Sequence, residues 1–290
     1  MQNRSWLLVP ADSDKKLSIA AATGADNVVV DLERGIKPDF RGQARIRAAN
    51  WLDAQRQREG GRGCGRWVRI NAFDGGEWHD DLVAVLPYAP DGIVLPRSAG
   101  PDMIRQVAAE LYELEQRCGA VPGATRIIPI VGETPQSAMT IFSYVAEAPP
   151  RLAGLTWTID GLGDAIGATR RRDAGGRLTE TFRYLRSQTL LTAHGCSIMA
   201  LDAPMPGVGE EEALNSAALG SRADGFTGMF ATHPAQIRAI NAAFAEVHPA
   251  SETPTESAAP EIAPAVARGG PGSGRAPILP PAAPPPDPPP

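Results

Sequence analysis

The sequence predicts a single α/β domain folded as a (β/α)8 TIM barrel, occupying residues 1–250 and followed by a disordered proline-rich tail over 251–290. Three observations carry this. Eight short apolar runs rich in β-branched residues alternate with longer stretches patterned as amphipathic helices. Eight such units over ~250 residues is the usual extent of the barrel. Finally, the first run ends in VPADSD, without the glycine-rich phosphate turn that opens a doubly wound dinucleotide-binding sheet.

In chain order the predicted strands are SWLLVP (5–10), NVVVD (27–31), RWVRIN (66–71), GIVLP (92–96), RIIPIV (126–131), LAGLTWTI (152–159), SIMALD (197–202) and FTGMFAT (226–232). Helix-like segments lie between them: KKLSIAAATG, GQARIRAANWLDAQRQ, MIRQVAAELYELEQR, TPQSAMTIFSYVAEA, ETFRYLRSQTLLTAHG and EEEALNSAALGS. Gly24, Gly119, Gly195 and Gly220 stand where helix stops are expected. The final forty residues hold 13 of the 28 prolines and no aromatic residue, so they lack the apolar area that would offset ordering.

Composition narrows the function. The 290-residue chain carries a net charge of −5 and a sequence pI near 5.5, which argues against nucleic acid and anionic membranes as partners. No apolar run approaches the ~18–20 residues of a membrane span, and the N-terminal run at 6–9 is too brief for a signal-peptide core. Cys64, Cys118 and Cys196 are far apart and odd in number, which excludes a disulfide framework and makes a reducing cytoplasm the expected location. Only Lys15, Lys16 and Lys37 are lysines, and none lies on the fifth to seventh strands, which disfavours Schiff-base chemistry.

In such barrels the chemistry sits where strands end and βα loops begin. The residues predicted there are Asp31 and Glu33, Arg69 and Asn71, Arg97, Glu133, Asp160 with Asp164, Asp202 and His233. Two readings of so acidic a rim stand open. Each acid can serve as a helix cap or ion-pair partner, or several can share a hard divalent cation, Mg²⁺ or Mn²⁺, through oxygen ligands.

The motifs, taken in order, resemble those of the citrate lyase β-subunit and malyl-CoA lyase family. The opening RSWLLVPADSDKKLSIAAATGADNVVVDLERG, then VRIN at 68–71, DGIVLPR at 91–97, VGETPQSAM at 131–139 and GFTGMFATHPAQI at 225–237 are each similar to a family motif. The resemblance spans residues 4 to about 246. It implies a metal-dependent carbon–carbon lyase working by retro-Claisen or retro-aldol cleavage of a malyl- or citramalyl-CoA-like acyl-CoA, giving an enolate and an oxo acid. By the same resemblance Glu133 and an aspartate after strand 6 hold Mg²⁺, Arg69 meets substrate oxygen, and Asp31 and Glu33 flank the metal's waters. Lys16 falls near the nucleotide of the acyl-CoA, and a homo-oligomer (trimer or hexamer) is implied.

The chain departs from the pattern at three places. Gly161 stands where the strand-6 aspartate is expected, with Asp160 one position early, so Asp160 is taken as the second metal ligand beside Glu133. Arg34 replaces the second acid of the strand-2 motif, and Met229 replaces a lysine, which suggests a change in a CoA-facing surface. Two further functions therefore stay open: an aldolase acting on a free hydroxy-keto acid, and a member that only binds an acyl-CoA or a protein partner. His233 is read as fixing its loop, His79 as a loop residue, His194 as a helix-end residue and Cys196 as an inert thiol.

Overall fold

A computed structural model describes residues 2–57, 63–204, 207 and 211–245. Its strands are β1 (Ser5–Pro10), β2 (Asn27–Asp31), β3 (Gly65–Arg69), β4 (Gly92–Ser98), β5 (Arg126–Val131), β6 (Gly154–Trp157), β7 (Met199–Asp202) and β8 (Gly228–Ala231). Each pairs in parallel with the next, and β8 closes on β1, so the sheet is the predicted closed eight-stranded barrel. The predicted tail and the end of the proposed domain lie outside the described residues. Among those described, no helix is long and apolar enough to cross a membrane.

The helices are α1 (Asp14–Ala20), α2 (Arg41–Arg56), α3 (Glu77–Val85), α4 (Pro101–Cys118), α5 (Pro135–Met139), α6 (Ser143–Ala146), α7 (Ile159–Ala165), α8 (Glu180–Gly195), α9 (Glu211–Ala223) and α10 (Gln236–Ala243). The segment read as one helix over 134–148 is two short ones. Thr140 and Ser143 turn their hydroxyls onto main-chain carbonyls there, a local bonding that competes with the helical ladder. The sixth strand stops earlier than predicted, because the Thr158 hydroxyl accepts from the amides of Asp160 and Gly161 and caps α7. His79 lies within α3 rather than in a loop, and Gly220 lies within α9.

Alternation along each strand divides the apolar residues into two layers. One set faces the helices; the other fills the barrel interior, where Trp6, Val29, Trp67, Val94, Ile128, Ile130, Leu201 and Phe230 pack together. Trp6 meets Trp67 edge-on with ring centroids 4.9 Å apart and stacks on Phe230 at 5.9 Å. These large rings fit because β4 begins with glycine: a Cβ at Gly92 would fall 2.2 Å from the Trp67 ring. These rings fill the barrel interior, and a cavity opens at the C-terminal mouth.

The opposite end is held by a buried ion pair. Glu115, at the end of α4, accepts both amino groups of Arg151 at 2.8 Å, together with the amides of Gly123 (2.7 Å) and Thr125 (3.0 Å). Burial pushes this carboxyl up, but those donors outweigh it and hold the pKa at about 2. Because the folded value lies below the unfolded one of 4.5, the stabilisation is complete above that pH and is lost as pH falls toward about 2. Glu115→Gln should therefore lower the unfolding free energy by about 3–5 kcal/mol in urea titrations at neutral pH. It should also flatten the acid limb of the stability profile below pH 4.5 relative to the wild type.

Candidate active site at the mouth of the barrel

Register alone brings the first two functional residues together. β2 and β3 pair so that Asp31 stands directly beside Arg69. Asp31 Oδ1 accepts from Arg69 Nε at 2.8 Å and Oδ2 from Nη2 at 2.6 Å, a two-point pair with side-chain exposures of 1% and 5%. Oδ1 also accepts the amides of Glu33 (2.9 Å) and Arg34 (3.2 Å), which fixes the start of the β2–α2 loop. Burial would lower the Arg69 pKa, but Asp31, with Glu33 and Glu133 behind it, raises it, so the guanidinium stays charged. Asp31 occupies Nε and Nη2, which leaves the other amino group of Arg69 as the donor available to a ligand.

Glu33 and Glu133 complete the inner ring. Glu33 Oε2 lies 3.7 Å from Arg69 Nε, and Oε1 accepts from Arg97 Nη2 at 3.4 Å. Glu133 follows β5, and the next residue, Thr134, forms a reciprocal capping box with Ser137 that starts α5. Its Oε2 accepts the amide of Arg97 at 2.6 Å. Arg97 donates this bond from a left-handed backbone conformation, φ 50, where β4 loses its regular register with β5. Burial raises the pKa of Glu33, opposed by Arg69 and reinforced by Glu133. Burial likewise raises Glu133, against the Arg97 amide and the charges of Arg69, Arg34 and Arg97. Both carboxyls are thereby moved toward neutral pH, the direction that suits proton exchange.

Asp31 and Arg69 border a cavity of about 320 Å³, the size range of small-ligand sites. Its floor is apolar, made by Leu8, Val94, Ile130 and Phe230 of the barrel interior, and its wall carries Arg34, Arg69 and Asp160.

Asp160 shares the cavity wall with Arg34, and the remaining predicted residues lie outside it. Asp160 was expected to face Glu133; its carboxylate is instead 60% exposed and lies 3.4 Å from Arg34 Nη1. The position that faces Glu133 is 161, where a Cβ would fall 2.9 Å from Cβ, Cγ and Oε1 of Glu133. Asp164 pairs with Arg171 and is exposed. Asp202 is turned outward, accepting from Trp157, Arg186 and Ser221. Met229 is buried between sheet and helices, not on a ligand-facing surface, because its neighbour Phe230 takes the inward position. Lys16 is exposed in the first turn of α1 and pairs with Asp12 at 2.7 Å. The His233 ring accepts the amide of Ala235, a loop-fixing bond, and His194 bonds the Gly225 carbonyl.

Residues 4–234 match the HpcH/HpaI aldolase/citrate lyase family model. The chain belongs to that family. A citrate lyase subunit beta-like protein of Mycobacterium tuberculosis is 30% identical over 247 residues, covering 84% of this chain and 79% of its own length. The mitochondrial citramalyl-CoA lyase of Mus musculus is 26% identical over 253 residues, covering 83% and 71% respectively. The crystal structure of M. tuberculosis CitE with magnesium, acetoacetate and coenzyme A matches with a TM-score of 0.65 at 26% identity, over 85% of this chain and 82% of that one.

Magnesium in a relative makes the donor set here worth testing. Hard divalent ions take several oxygen ligands, and protein carboxylates normally supply at least one or two. Glu133 is present, but its flank at position 161 has no side chain, and the Asp160 carboxylate is 60% exposed beside Arg34. Among the described residues no three His, Cys, Asp or Glu side chains converge on one point. The side chains at this mouth do not fit the two-carboxylate set.

Asp31→Asn tests the inner ring. It keeps the shape but leaves Arg69 buried without its charge partner, a loss of about 3–5 kcal/mol in chemical denaturation. A cost below about 1 kcal/mol, the range of solvated surface pairs, would mean that the pair is not buried as described.

Proposed function

We propose that this chain is a carbon–carbon lyase, or the corresponding condensing enzyme, that releases or takes up a small oxo acid from a malyl- or citramalyl-CoA-like thioester. The observation that carries the reading is Arg69. A fully charged, almost fully buried guanidinium with donors to spare borders an apolar-floored cavity, and such a group calls for an anion.

Each residue has a task that its position supports. Arg69 holds the carboxylate and the neighbouring oxygen of the acid half, and stabilises charge as the carbonyl of the oxo acid forms. Glu33, beside Arg69 and carrying a raised pKa, accepts the proton of the substrate hydroxyl. As that proton leaves, the carbon–carbon bond breaks, its electron pair passes into the thioester enolate, and the enolate carbon then takes up a proton. Asp31 keeps Arg69 and the Glu33 loop in place. Lys16, in the first turn of α1 at the mouth, meets phosphate of the coenzyme. A cytoplasmic setting accords with the small, odd number of cysteines.

Gly161 favours a second reading, a member that binds the ligand without turning it over, because the position facing Glu133 carries no carboxylate. Incubation with malyl-CoA, citramalyl-CoA and free citramalate, followed by assay for acetyl-CoA and for glyoxylate or pyruvate, separates the two. The lyase reading predicts thioester cleavage that falls on the order of a hundredfold in Arg69→Lys, which loses the planar fork. Thermal protection by pyruvate without any product would establish the binding-only reading.

A further inference from the structure

The acid half of an oxo-acid substrate brings a carboxylate, and during cleavage its neighbouring oxygen carries developing charge. A divalent ion is one way to meet that charge, and it needs carboxylates of its own to stay in place. At this mouth the second carboxylate is lost in a way that also closes its space. The Glu133 side chain lies against the Gly161 Cα so closely that any Cβ there would require Glu133 to move. What occupies the neighbourhood instead is a third guanidinium.

Arg34 lines the same cavity as Arg69, and its charge favours the ionised form of Glu133. Its loop is tied to Asp31 through its own amide, so the side chain starts from a fixed point. Among the described residues its ion-pair partner is Asp160, 60% exposed and 3.4 Å away, a solvated contact of little strength. An incoming carboxylate can displace that contact at small cost and gain two parallel N–H···O bonds from the guanidinium fork. A divalent ion placed beside Glu133 would instead lie near the charges of Arg34, Arg69 and Arg97.

We propose that Arg34 replaces the divalent cation at this site: the carboxylate of a small 2-oxo acid is held between the Arg34 and Arg69 guanidiniums, and binding needs no metal. This deepens the oxo-acid reading above and rests on it.

The test is calorimetric titration of the full-length protein with pyruvate, once in EDTA and once in excess Mg²⁺. The expected result is the same affinity in both, within about twofold. Arg34→Gln should weaken binding by roughly ten- to a hundredfold in EDTA, and Arg34→Lys by less, since it keeps the charge and loses the fork. Arg34 is half exposed, so the variants should melt as the wild type does. Binding seen only with Mg²⁺, or undiminished in Arg34→Gln, would overturn the replacement of the metal and leave the oxo-acid reading standing. No binding of pyruvate under either condition would overturn the oxo-acid reading itself.

Discussion

The architecture of the mouth depends on one ion pair, Asp31 with Arg69. Parallel pairing of β2 and β3 sets the two residues side by side, and the inward turn of Arg69 then places a guanidinium where water is excluded. Desolvating two charges is costly, and the cost is offset only by good geometry and by further hydrogen bonds. Both are present. The pair is two-pronged, and Oδ1 of Asp31 also accepts the amides of Glu33 and Arg34. One carboxylate thus fixes the orientation of Arg69 and the path of the loop that brings Arg34 to the cavity and Glu33 beside Arg69. Glu133, buried, and Glu33, partly buried, then lie close to arginines, which governs their readiness to exchange a proton.

The two ends of the barrel use the same interaction to different effect. At the closed end Glu115 and Arg151 saturate each other together with two amides, and the result is a rigid clamp. At the open end Asp31 engages only Nε and Nη2 of Arg69, so the pair holds its shape and keeps donors for a ligand. This division fits the fold, in which stability is concentrated at one face and chemistry at the other.

Much of this was legible in the sequence, because the period-two and helical patterns are strong in a sheet buried on both faces. The eight runs fall on the eight strands, and Asp31, Arg69, Glu33 and Glu133 are brought to one mouth. Errors arose where a single residue of phase decides the outcome. Asp160 and Gly161 are adjacent in the first turn of α7, so a one-residue difference swings a side chain about 100° around the helix. That turn carries Asp160 to solvent and points position 161 at Glu133. Met229 shows the same effect on a strand: alternation with Phe230 already assigns it to the helix-facing layer. The role of Asn71 could not be read locally. It donates to the Leu32 carbonyl and to Asp81, a buried acid on α3 ten residues away that also holds Arg45.

The central claim is that guanidinium groups anchored by Asp31 supply the positive charge of this site. A crystal structure of the protein grown with pyruvate and Mg²⁺ together tests it most directly. The account predicts the pyruvate carboxylate within hydrogen-bond distance of both Arg69 and Arg34, with the Asp31–Arg69 pair intact. An ion with about six oxygen ligands near ~2.1 Å, bridging Glu133 and pyruvate while Arg34 is turned to solvent, would contradict it.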